Sequence, residues 1–170
     1  MLLYYITDRR QLPASEIGRR RCLIEKITEA ARAGVDYVQL RERDLGGREL
    51  QELARAAVEA VRETGTATRL LINSRVDIAL ACGADGVHLR SGDLLASDAR
   101  AVAASRANFT VAVSCHTVQE VQLAWSHGAD FAVFAPVFEK EGRMGSGVEG
   151  LKAACSAVPR FVVEIGRAHV

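Results

Sequence analysis

An excess of charge of either sign is missing from this sequence, and that absence removes the first class of partners. Lysine and arginine number 22 against 21 aspartates and glutamates, a formal net charge of +1, so nothing points to nucleic acid. The one basic cluster, Arg19-Arg20-Arg21, is expected on the solvated start of a helix. No CxxC pair occurs either. Cys22, Cys82, Cys115 and Cys155 are far apart, which argues against a zinc site and fits reduced, mostly buried thiols. No apolar run approaches the ~18 residues of a membrane span. The amino end enters an apolar strand with no charged n-region or cleavage site, so no secretory signal is read. Together these absences lead to the expectation of a soluble, cytoplasmic protein. A glycine-rich loop after the first strand is also lacking, which speaks against a nucleotide-binding doubly wound sheet.

What is present is a repeat. Ala33-Gly34-Val35-Asp36-Tyr37-Val38, Cys82-Gly83-Ala84-Asp85-Gly86-Val87 and His127-Gly128-Ala129-Asp130-Phe131-Ala132 share one pattern, with glycines 49 and 45 positions apart. In each copy the glycine is suited to the left-handed conformation that stops a helix. The apolar run after it is too short and too continuous for anything but a strand buried on both faces. Each interval is roughly two βα units long, so the signal marks every second unit of a parallel α/β fold. With 49% apolar and 25% charged residues in 170, one domain with a sizeable core is expected.

Read as βα units, the chain predicts strands over 2–6, 37–41, 69–72, 86–89, 110–114 and 131–135, and a seventh beginning at Phe161. Helices are predicted over about 20–33, 47–63, 76–81, 96–105, 117–127 and from Gly147 to about Ala157. Seven strands fall short of a closed (βα)8 barrel, which usually takes ~250 residues. The fold class expected is therefore an incomplete TIM barrel lacking its last βα unit or so, occupying residues 1–163. Residues 164–170 back-translate into the opening of a widely used sequencing adapter and are expected to be a non-native tail. The alternative is that Val163-Glu164-Ile165-Gly166 is the genuine end of strand seven.

In parallel barrels the reactive groups come from the carboxyl ends of strands. Strand two ends Gln39-Leu40-Arg41-Glu42-Arg43, where alternation sends Gln39, Arg41 and Arg43 to one side. Two guanidiniums and an amide suit a phosphate clamp; the structural alternative is an ion-pair belt with Glu42 and Asp44. Strand three ends Asn73-Ser74-Arg75, strand four is followed by Arg90-Ser91-Gly92-Asp93, and strand five ends Ser114-Cys115-His116-Thr117. His116 is the acid/base candidate, because imidazole titrates near neutral pH. His88 reads as a core residue, and Cys115 points away from Ser114.

These segments carry a family resemblance. Tyr5-Ile6-Thr7-Asp8, Val38 to Arg43, Leu71 to Asp77, Gly83 to Leu89, Ser114 to Thr117 and Gly128 to Phe131 resemble, in order, the thiamine phosphate synthase family, including its thiazole tautomerase (TenI-type) branch. The resemblance implies a (βα)8 barrel that handles phosphorylated pyrimidine and thiazole substrates. In the synthase, a pyrimidine methyl diphosphate loses pyrophosphate and is captured by a thiazole phosphate. The resemblance puts the magnesium diphosphate on Asn73 and Asp93, while the family's first aspartate is here Ser74. The family's Pro-Thr-x-Thr-Lys stretch is here Glu139 to Arg143, so Arg143 replaces the lysine and two carboxylates arrive where a polyanion would lie.

Those departures favour the tautomerase branch, in which His116 moves a proton on a thiazole carboxylate phosphate without a metal. The substrate-binding set expected is Gln39, Arg41, Arg43, Asn73, Ser114 and Arg143, with Asp93 a metal ligand only in a synthase. Accordingly, Mg2+ is expected for a synthase and no cofactor for a tautomerase. A non-catalytic ligand-binding homologue is the reading from another class, and a homo-oligomer is left open. The 170 residues by themselves are expected to be inactive, because the family's thiazole-phosphate loops follow strands seven and eight.

Overall fold

The structure is a computed structural model, and it describes residues 2–13, 15–139, 144–159 and 162–164. Strands β1 (Tyr4–Ile6), β2 (Tyr37–Leu40), β3 (Arg69–Asn73), β4 (Gly86–Leu89), β5 (Thr110–Cys115), β6 (Phe131–Phe134) and β7 (Val162–Glu164) alternate with helices. The helices are α1 (Glu16–Arg32), α2 (Gly47–Glu63), α3 (Val76–Cys82), α4 (Ala96–Val102), α5 (Val118–Ser126) and α6 (Gly147–Ser156). Strand order in the sheet is sequence order. Two compact units make up the chain, residues 1–87 and 88–170.

In the first unit β1, β2 and β3 pair in parallel, with Tyr4, Tyr37 and Arg69 in line. Their inner residues Val38, Leu40, Leu70, Leu71 and Ile72 are fully buried. Leu23, Ile27 and Ala31 of α1 and Leu50, Leu53, Ala54, Ala57, Val58 and Val61 of α2 complete this core. Their spacing of three and four places them on one helix face. Each fully buried leucine-sized side chain contributes about 1.5–3 kcal/mol. Helix α1 begins at Glu16, four residues before the expected start, because the Ser15 hydroxyl accepts from the Gly18 N–H as an N-cap. The basic cluster thus lies within the helix and not at its first residue. Arg20 pairs with Glu16 and Glu49, Arg21 pairs with Glu25, and Arg19 donates to the Leu12 carbonyl.

In the second unit β5, β6 and β7 pair in parallel, with Ala112 beside Phe131 and Ala132 beside Val162. Strand β6 is buried along its whole length, and Val111, Val121, Ala124, Ala154 and Val158 pack in the same core. Strand β7 includes Glu164; Phe161 and residues 165–170 lie outside the described residues.

The repeat has a physical basis at both of its marked positions. Gly34, Gly83 and Gly128 have φ of 85°, 70° and 82°, the left-handed region that ends each helix. Each aspartate then makes a two-way clasp with the preceding strand. The Asp36 N–H donates to the Leu3 carbonyl (3.0 Å) while Asp36 Oδ2 accepts from the Leu3 N–H (2.7 Å). Asp85 does the same with Leu70 (2.9 and 2.8 Å) and Asp130 with Val111 (2.8 and 2.8 Å). The clasps join successive strands two by two, which is why the motif recurs at every second unit.

Candidate active site

At the carboxyl ends of the first unit's strands, one buried arginine organises the acidic groups. Arg9 follows β1 in a short 3-10 turn (Arg9–Gln11) and is 3% exposed. Its Nη1 donates to Glu42 Oε2 (3.0 Å) and Asp44 Oδ1 (2.8 Å), its Nη2 to Asp44 Oδ2 (2.9 Å) and its Nε to Glu16 Oε1 (2.8 Å). The Arg9 N–H also donates to Glu42, and the Thr7 hydroxyl donates to Glu42 Oε1 (2.7 Å). Hydrogen bonding to Asp44 above all raises the Arg9 guanidinium further above its usual range. Arg9 in turn holds the carboxyls of Asp44 and Glu16 below theirs.

Glu42 and Asp44 therefore turn to Arg9, and among the described residues the guanidiniums of Arg41 and Arg43 have no hydrogen-bond or ion-pair partner. Arg41 is half-buried and Arg43 exposed. Strand β2 ends at Leu40 and not at the expected Arg41. Glu42 is drawn inward to Arg9, and the backbone turns over 43–45, so strict alternation stops before the arginines. The Arg41 N–H is held by the Thr7 hydroxyl (3.0 Å). Gln39 is 1% exposed and donates its Nε2 to Tyr4 Oη (2.9 Å), inside the core layer. Burial raises the Tyr4 phenol above its ordinary value, so it is neutral there.

Asn73 ends β3 with its Nδ2 donating to Ser74 Oγ (3.0 Å). Ser74 has φ of 60°, a left-handed conformation in a residue other than glycine, and such outliers gather at functional sites. Arg75 pairs with Asp77.

In the second unit, Ser114 and buried His88 share a hydrogen bond (Oγ to Nε2, 2.7 Å). His116 is exposed, and its Nδ1 lies within hydrogen-bond reach of the Ala135 carbonyl. A carbonyl only accepts, so Nδ1 carries the proton and Nε2 of the neutral ring presents a lone pair. The His116 N–H donates to Glu120 Oε2 (2.6 Å), and the Ser91 hydroxyl donates to Glu120 Oε1 (3.2 Å). Thr117 caps α5 by accepting from the Glu120 N–H (3.1 Å). Cys115 is buried and its thiol is pushed up to about 12 by desolvation, then by Glu120, which leaves it inert as a nucleophile.

Asp93 is held in its own turn, where the Arg90 N–H donates to Oδ2 (2.8 Å) and Arg90 Nη2 to Oδ1 (3.0 Å). Residues 140–143, Arg143 included, lie outside the described residues. The loop after β6 resumes on close backbone contacts. The Ser146 and Gly147 N–H groups donate to the Pro136 and Val137 carbonyls (3.0 and 2.9 Å). A Cβ on Gly145 would stand 2.2 Å from the Val137 oxygen.

In the first unit Arg41, Arg43 and Asn73 lie at or after strand carboxyl ends, and in the second Asp93, Ser114 and His116 do. Arg9 and Glu120 were not singled out from the sequence. For Glu120 the spacing Thr117-x-x-Glu120, a capping-box pattern, was an available signal. For Arg9 no local pattern announces partners more than 30 residues away.

βα units in sequence order, with polar groups on the loops after the strands, define a protein of the α/β-barrel class. The family model for thiamine monophosphate synthase matches residues 3–168. A putative thiamine-phosphate synthase of Geobacter sulfurreducens is 43% identical over 145 residues, covering 85% of this chain and 63% of the relative. A probable thiamine biosynthetic bifunctional enzyme of rice, Oryza sativa subsp. japonica, is 37% identical over 98% of this chain, which spans only 29% of that protein. The solved thiamine phosphate pyrophosphorylase of Pyrococcus furiosus superposes with a TM-score of 0.80 at 32% identity, over 97% of this chain and 74% of its own. The chain belongs to the thiamine monophosphate synthase family. No helix among the described residues is long and apolar enough to cross a membrane.

Proposed function

We propose that this chain serves thiamine phosphate synthesis, joining a pyrimidine methyl diphosphate to a thiazole phosphate with release of pyrophosphate. The observation that carries the reading is the pair Arg41 and Arg43, whose guanidiniums have no partner among the described residues while the neighbouring carboxylates face Arg9. Arginine forks match phosphate oxygens bidentately. As the carbon–oxygen bond to the diphosphate breaks, negative charge grows on the leaving pyrophosphate, and fixed guanidiniums stabilise that charge. The thiazole nitrogen supplies the electron pair for the new carbon–nitrogen bond. Asn73, Ser114 and Arg143 are assigned to orienting the two substrates, while Gln39, expected in that set, lies buried against Tyr4 and supports the strand from the core layer. The synthase names of the relatives support this over isomerisation.

The described residues do not by themselves suit magnesium. Both Asp93 oxygens are engaged by Arg90, and no cluster of three metal-binding side chains occurs among the described residues.

One observation favours the tautomerase reading as a second choice. The hydrogen bond from His116 Nδ1 leaves Nε2 as a base, which suits moving a proton on a thiazole carboxylate phosphate. A cytoplasmic setting completes the proposal. The test is pyrophosphate release from the two synthase substrates by a chain that carries the loops after strands seven and eight, set beside isomerisation of the thiazole carboxylate phosphate under chelation. Release that is lost in Arg41→Ala/Arg43→Ala supports the synthase. Isomerisation that is lost in His116→Ala, without pyrophosphate release, overturns it for the tautomerase. Substrate binding without either turnover overturns both in favour of a non-catalytic homologue.

A further inference from the structure

The stretch Arg41-Glu42-Arg43-Asp44 alternates charge, so each guanidinium has a carboxylate next to it in sequence. Local pairing would leave no cation for a ligand. The structure shows a different pairing: both carboxylates go to Arg9, with Nη1 bridging Glu42 and Asp44 and Nη2 completing a fork on Asp44. With the Nε bond to Glu16, four of the five guanidinium donors are directed to carboxylate oxygens. A lysine, with its donors on one nitrogen, cannot hold this fan. The Glu42 side chain is 1% exposed. The Thr7 hydroxyl is held between Glu42, to which it donates, and the Arg41 N–H, from which it accepts. A contiguous chain of contacts therefore runs from Arg9 through Glu42 and Thr7 to the backbone of Arg41.

We propose that Arg9 is a positioning residue for anion binding, acting by keeping Glu42 and Asp44 off Arg41 and Arg43. The inference rests on the phosphate-binding reading of Arg41 and Arg43. Removing Arg9 releases two carboxylates beside two guanidiniums that have no partner among the described residues, and the clamp closes on itself. The carboxylates, not the missing guanidinium, then block the ligand, so deleting their charge restores the site.

The experiment titrates inorganic pyrophosphate into the full chain by calorimetry, with thermal unfolding recorded for every variant. Wild type binds, and Arg41→Ala/Arg43→Ala loses binding. Arg9→Met weakens affinity about tenfold or more, the worth of one charge-assisted hydrogen bond. Arg9→Met/Glu42→Gln/Asp44→Asn recovers to within about threefold of wild type if carboxylate release is the cause. A folded Arg9→Met that binds as wild type, or a folded triple variant as weak as the single one, overturns the proposal. Where Arg9→Met does not fold, Asp44→Asn decides, since the Asp44 side chain is 44% exposed and its loss strands no buried charge. Unchanged affinity is expected because Arg9 already holds that carboxylate; tightening of about fivefold or more shows that Asp44 competes with the ligand and overturns the sequestration. Wild type that binds no pyrophosphate overturns the clamp itself and the inference with it. Failure only among the Arg9 and Asp44 variants overturns the inference and leaves the clamp standing.

Discussion

Replacing Asp85 by alanine removes one arm of the clasp between β3 and β4, and its cost can be worked from the geometry. Asp85 Oδ2 accepts from the Leu70 N–H at 2.8 Å, and Leu70 is 1% exposed. A hydrogen bond to a charged group contributes about 1.5–3 kcal/mol, and a buried donor left unpaired costs on the same scale. The lower end applies here. A cavity of ≈ 250 Å³ adjoins Leu70 and Asp85, with Arg62, Thr66 and Thr68 on its wall, and water entering it can partly replace the lost acceptor. The expected loss is ~1.5 kcal/mol, and ~0.5 kcal/mol for Asp85→Asn, which keeps a neutral acceptor. The companion substitutions set a ranking. Asp130 also binds Arg100 Nη2 (2.7 Å), so Asp130→Ala should cost more, whereas Asp36 is exposed and Asp36→Ala should cost least. Urea unfolding followed by circular dichroism measures each change as a shift in midpoint at constant slope. An Asp85→Ala protein within about 0.5 kcal/mol of wild type, the range of ordinary surface substitutions, refutes the reasoning. So does a ranking headed by Asp36.

Three further outcomes are expected. The Asp44 carboxyl is held below the ordinary aspartate range by its hydrogen bond to Arg9; its stabilisation is therefore complete above about pH 4 and lost as pH falls through the lower folded value. Acid unfolding should be less steep in Asp44→Asn than in wild type over that window, and equal slopes would contradict the assignment. Iodoacetamide at pH 8 should label exposed Cys155 first and leave Cys115 unmodified, since that thiol is buried and raised to about 12; mass spectrometry of the native protein reads this directly. Gly145→Ala forces a Cβ to within 2.2 Å of the Val137 oxygen, and relieving that overlap should cost ~1–3 kcal/mol. A melting temperature equal to that of wild type would show that the loop yields freely.

The barrel grammar was legible because it is written in local signals. Helix α2 is bounded at Gly47 and Glu63 as its pattern predicts, and β4 at Gly86 and Leu89. All three stop glycines are left-handed. Long-range pairing was not legible. The aspartates of the repeat act across the chain gap to the preceding strand, and no periodicity reports such a partner. The end of β2 was misplaced by one residue for the same reason, because alternation does not reveal that Glu42 turns to Arg9. The start of α1 lies four residues before the expected one because the Ser15 hydroxyl caps the helix at Glu16, ahead of the Arg19-Arg20-Arg21 run. Strand ends pointed to Arg41, Asn73 and His116; the state of those groups, partnerless or engaged, became visible only with Arg9 and the Ala135 carbonyl in place.

The clasps and the candidate site occupy opposite ends of the strands, and that separation carries a consequence. Asp36, Asp85 and Asp130 precede β2, β4 and β6, whereas Arg41, Asn73, Ser114 and His116 lie at or after strand carboxyl ends. In parallel α/β barrels, residues at the first end serve stability and those at the second serve chemistry. The clasp at Asp85 and the contacts of Arg9 share no side chain, and unlinked sites add independently. Asp85→Ala should therefore lower stability while pyrophosphate affinity, measured well below the melting temperature, stays at the wild-type value. Arg9→Met should move both. A clasp variant that loses pyrophosphate affinity while still folded would mean that the amino ends of the strands set the geometry of the arginine pair, and stability and binding would then not be separable in this fold.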